Sequence, residues 1–96
     1  MSNRVKIQRK AVALRYDRDQ DSAPRVVAKG REKVADKILD LARKHDVPIH
    51  CDHDLTELLS QLDLDEMIPR EVYVIVAEIL AFIYSISHLK HAPENK

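Results

Sequence analysis

The sequence predicts an α/β fold, a single domain in which a small mixed β-sheet is flanked by about three to four helices. Three observations lead there. The chain has 96 residues, 45% of them hydrophobic and 33% charged, which supplies one core and is too short for a second. Residues 10–16 alternate with the period of a strand. After a proline and the chain's one glycine, residues 31–45 change to the 3.6-residue period of a helix.

Taken in order, residues 10–16 divide into Ala11, Ala13 and Arg15 on one face and the bulkier Val12, Leu14 and Tyr16 on the other, so the second face is the core face. Residues 17–22 are polar and lead into Ala23 and Pro24, a loop, because the proline ring disfavours helix at the residue before it. Val26, Val27 and Ala28 form a second short strand, and Gly30 marks the handover to a helix. Over residues 31–45 the apolar positions Val34, Ile38, Leu41 and Ala42 share one helical face. Residues 47–51, Val-Pro-Ile-His-Cys, read as a third strand with Pro48 near its start. Strand, helix and strand in that spacing predict a right-handed crossover between parallel neighbours. Asp54 is placed to cap a short helix over residues 55–62, with Glu57 completing a capping box. Pro69 opens a last helix running to about residue 89.

That last helix is unusually apolar, since Glu78 is the one charged residue between Val72 and Ser85. It falls short of the roughly 20 apolar residues of a membrane span and is bounded by Arg70, Glu71 and Lys90. A helix buried on more than one side explains the composition, and a partner-binding face is compatible with it.

Sixteen basic and sixteen acidic side chains cancel, leaving no global field to attract nucleic acid or an anionic membrane. Arg4, Lys6, Arg9 and Lys10 make a basic start without interleaved aromatics, read as an N-terminal arm or partial edge strand over residues 1–10. The apolar run after it is too short for a signal peptide. Residues 91–96 read as a flexible tail. The single cysteine, Cys51, suits a reducing compartment.

No phosphate-binding glycine loop, serine-nucleophile motif or zinc-protease helix is present. His50, Cys51, Asp52, His53 and Asp54 are metal-ligand types, but alternation at a strand end lets few of them converge, and no fourth ligand is evident. The reading is therefore no catalytic residue, no cofactor and no metal. A small metal-binding protein, or a homodimer formed through the last helix, is the alternative.

Five stretches carry a family resemblance: Ala11-Val-Ala-Leu-Arg-Tyr-Asp-Arg-Asp19, Ala23-Pro-Arg-Val-Val-Ala-Lys-Gly30, Val47-Pro-Ile49, Ile68-Pro69 and Val76-Ala-Glu-Ile-Leu-Ala81. In this order and spacing, over residues 11–86, they resemble the cytoplasmic domain of the flagellar type III export-switch family (FlhB-like) and its injectisome relatives. The resemblance implies a non-enzymatic component of protein export, with export-gate proteins, early export substrates and the full-length switch protein as partners. Its place would be the cytoplasm, peripheral to the inner-membrane export apparatus.

Self-cleaving members of that family carry Asn-Pro-Thr-His just before the first strand. Here Lys6-Ile7-Gln8-Arg9 stand instead, so no self-cleavage is expected, and the chain resembles the fragment downstream of the cut. The resemblance further implies that the edge of the first strand accepts a partner's strand, unless Val5 and Ile7 complete it within the chain. It also places a shallow substrate-docking groove at Ala23, Pro24, Ala77 and Leu80.

Overall fold

The computed structural model describes residues 9–17 and 19–91, with side chains for all of these except residues 84 and 86–91. Expectations for the arm before Arg9, including edge completion by Val5 and Ile7, and for the tail beyond residue 91 lie outside the described residues.

Strand β1 (Lys10–Arg15) pairs antiparallel with β2 (Arg25–Arg31), in a register that sets Ala13 opposite Ala28 and, past an irregularity, Leu14 opposite Val26. Helices α1 (Lys33–Lys44), α2 (His53–Leu59) and α3 (Arg70–His91) follow. The α/β class with three flanking helices stands, but the sheet among the described residues is two-stranded and antiparallel.

The third strand does not form at residues 47–51. Helix α1 ends in a Schellman turn: Asp46 takes φ 57°, its N–H donates to Arg43 O, and Val47 N–H turns back to Ala42 O at 2.8 Å. With the Val47 donor spent on the helix and Pro48 having none, the segment has little to offer a sheet. Its place beside β2 goes to residues 65–68. Val26 N–H donates to Glu66 O, Asp65 N–H to Val26 O and Ile68 N–H to Pro24 O.

The core gathers Ala23, Val26, Leu59, Ile68, Val72 and Val76, with Val12, Leu14, Leu55 and Leu80 packed around it. Val12 and Leu14 thus face inward as alternation requires. Helix α1 crosses the sheet with Ala35 fully buried, whereas Val34 and Leu41 of the expected core face are 54% and 49% exposed. The apolar face of α1 is wider than two strands can cover.

The α2 cap is Asp52, two residues before the expected Asp54. Its side chain accepts from Leu55 N–H at 3.1 Å. Glu57 makes no capping box and instead binds Lys10 at 2.8 Å. Pro69 precedes α3 and its carbonyl accepts from Val72 and Tyr73 N–H. The helix is buried on one side, not several, and Val74, Ile75 and Phe82 are exposed. Among the described residues no helix is long and apolar enough to cross a membrane.

Candidate docking surface

The loop between the strands is shaped by its own acids. Asp17 O accepts from Gln20 and Asp21 N–H, and its carboxylate accepts from Asp19 N–H. This winds the loop so that Asp21 points inward, with its side chain only 4% exposed. There Asp21 Oδ1 accepts from Arg25 Nε at 2.9 Å, while Arg15 stands 3.8 Å from Oδ2. The hydrogen bond from Arg25 holds the Asp21 carboxyl below the usual carboxylate range, against the opposing effect of burial, and Arg15 adds to it. Arg25 also donates to Asp65 O at 2.8 Å. One guanidinium therefore joins the loop, β2 and the turn that leads to α3.

This brace fixes Ala23 and Pro24. Ala23 lies in the core with Val72 and Val76, and Leu80 packs against the same cluster from α3. Pro24 is among the largest fully buried side chains. Both residues are thus buried, although the family resemblance places them in the lining of a shallow groove. Ala77 and Leu80 are half-buried. Ala23 and Pro24 are therefore covered, while Ala77 and Leu80 on α3 remain partly accessible.

Two further features were not singled out from sequence. Tyr16 and Tyr73 stack edge to face with centroids 5.9 Å apart and share a 3.0 Å hydroxyl hydrogen bond. Their separation in sequence gives no periodic signal. An open concavity of about 360 Å³ lies elsewhere, lined by Lys10, Lys29, Gly30, Arg31 and Ser60. Its lysines are engaged: Lys10 pairs with Glu57, lowering the Glu57 carboxyl chiefly through that hydrogen bond, and Lys29 donates to the carbonyls of Ser60 and Leu62 beyond α2.

The suspected ligand cluster is dispersed. His50, Cys51, His53 and Asp54 are exposed, and Asp52 caps α2. No group of three or more His, Cys, Asp or Glu side chains among the described residues is placed to hold a metal ion.

Comparison with known proteins bears on the same span. Residues 8–83 match the family described as FlhB HrpN YscU SpaS. The chain is 51% identical over 78 residues to the uncharacterized protein YlqH of Bacillus subtilis, covering 81% of this chain and 84% of that one. It is 40% identical over 75 residues to the flagellar biosynthetic protein FlhB of the same organism, covering 77% of this chain but only 21% of that protein. The crystal structure of the cytoplasmic domain of FlhB from Shewanella putrefaciens superposes with a TM-score of 0.82 at 31% identity, over 92% of this chain and 69% of the other. The PscU C-terminal domain shares the fold, with a TM-score of 0.72 at 24% identity over 78% of this chain and 96% of that one.

Proposed function

The chain belongs to the FlhB HrpN YscU SpaS family, and from that membership we propose that it is a non-catalytic component of flagellar type III protein export, acting in the cytoplasm at the export apparatus. The observation that carries this reading is the match over residues 8–83, which takes in both strands, α1, α2 and the docked part of α3. The chain spans about a fifth of the FlhB protein it matches in Bacillus subtilis. Its part is accordingly read as that of the cytoplasmic domain, associating with export-gate proteins or with the full-length switch protein.

Within that role, Ala77 and Leu80 form the accessible rim of an apolar docking site for the short hydrophobic signal of early export substrates, and the buried Ala23 and Pro24 fix its floor. A shallow rim buries little surface, which suits a substrate that must be released quickly. Strand β1 is paired along one edge only among the described residues, and the other edge is suited to receiving a strand from a gate protein. No self-cleavage is assigned. Arg9, the last of the four residues in place of the cleavage motif, has its guanidinium on Asp36 at 2.9 and 3.1 Å.

The test is a titration of the purified chain with a labelled peptide bearing the N-terminal apolar signal of a rod or hook substrate. Weak saturable binding is expected. Ala77→Glu should reduce it roughly tenfold or more by placing a charge on the rim, with the circular dichroism spectrum unchanged. Equal binding by the folded variant would exclude the rim as the site.

A further inference from the structure

Residues 71–85 of α3 divide cleanly into two arcs when placed at 100° per residue. One arc centres on the buried Val72 and Val76 and has half-buried Ala77 and Leu80 on its flank. The opposite arc carries Glu71, Val74, Ile75, Glu78, Ala81 and Phe82, all exposed. Val74, Ile75 and Phe82 leave 60%, 47% and 63% of their surface uncovered. Ile75, Glu78 and Phe82 follow the alternating three- and four-residue steps of a helix-pairing seam. This face borders the docking rim at Ala77, three residues from Val74 and four from Ala81, while its centre at Ile75, Glu78 and Phe82 lies on the side of the helix away from Leu80.

The charges choose the occupant. No basic residue stands between Arg70 and His88, whereas Glu71 and Glu78 lie seven residues apart on the stripe itself. Exposed Asp63, Asp65 and Glu66 adjoin the start of the helix. A second copy of the chain fits poorly. Parallel pairing sets Glu78 beside Glu78 of the other copy, and the antiparallel register that seats Phe82 against Ile75 does nearly the same. The three exposed apolar side chains offer on the order of 300 Å², well under the roughly 800 Å² per partner of a stable complex, so like charges at the centre would not be outweighed. A helix whose apolar ridge is bordered by Lys or Arg meets both requirements, because its cations face Glu71 and Glu78 while their aliphatic stems extend the apolar contact. The geometry points to the outer face of α3 as a docking surface for a basic amphipathic helix of a partner protein.

The probe is a synthetic helical peptide of about 20 residues, long enough to span about 30 Å, with Leu on its ridge and Lys on its flanks. A control peptide has Glu in place of Lys. Fluorescence anisotropy with the full chain should show binding of the Leu–Lys peptide that weakens as salt rises, and little binding of the Leu–Glu peptide. Phe82→Asp should weaken it roughly tenfold or more, the loss of one aromatic anchor. The Glu71→Lys, Glu78→Lys double variant should reverse the preference between the two peptides. Equal binding of both peptides, undiminished binding by Phe82→Asp, or an unreversed preference in the double variant would overturn the proposal. So would sedimentation showing self-association that Phe82→Asp abolishes, which would make a second copy the occupant.

Discussion

At the scale of single residues, Gly30 shows how closely the backbone of β2 and the first turn of α1 approach. A β-carbon built on Gly30 would lie 2.7 Å from Val34 Cβ, closer than any real contact of that kind, and the neighbour is a stiff branched side chain. Gly30→Ala is therefore expected to destabilise the protein by about 1–3 kcal/mol, the usual cost of overpacking. Val34→Ala should recover much of the loss, because Val34 is already half exposed and little else depends on it. Urea unfolding of both singles and the double would show this as non-additivity. The sequence marked Gly30 as a boundary, but its reason is close approach and not a turn. That distinction was not legible, since it depends on where Val34 points. The same holds for Ala23 and Pro24: their types do not say whether they are exposed or buried, and the burial of both depends on a loop that the Asp21–Arg25 pair holds.

At the scale of elements, short α2 depends on its ends. Asp52 satisfies the Leu55 N–H and Lys29 supplies donors to the carbonyls of Ser60 and Leu62, so a helix of seven residues is held at both termini. Asp52→Ala should cost about 1 kcal/mol, read as a lower urea midpoint with unchanged slope, whereas Asp54→Ala should cost markedly less. Two aspartates two residues apart, Asp52 and Asp54, made the choice of cap ambiguous in the sequence. Strands β1 and β2 and the start of α3 were legible because alternation over residues 10–16, the short β-branched run from Val26 and the proline at position 69 are local signals. The segment at residues 47–51 was misread because its β-branched composition is local while the competing hydrogen bond, Val47 to Ala42, belongs to the end of α1. Helix α3 was read as buried on several sides from an apolar composition that its surroundings here cover on one side only.

At the scale of the whole molecule, two carboxylates join distant parts of the chain. Asp21 is linked through Arg25 to the turn before α3, and Glu57 through Lys10 ties α2 to β1. Both have folded-state pKa values below their ordinary ones. As the pH falls, the unfolded chain therefore takes up protons first, and their contribution, complete above the ordinary carboxylate range, is lost as the pH drops through the depressed values. Melting temperature should hold from pH 7 to about pH 5 and then decline toward pH 3, with a shallower decline in Glu57→Gln. The hydrogen bonds from Val26 to Glu66 and from Ile68 to Pro24 have a further consequence. They form a seam between the first half of the chain and the second that does not rely on the exposed link at residues 47–51. Fragments comprising residues 1–48 and 49–96 should complement one another when co-expressed, copurifying as a non-covalent pair. The peptide bond through that link would then be dispensable for the fold, and a Val26→Asp change, which inserts a charge into the seam, should separate the halves.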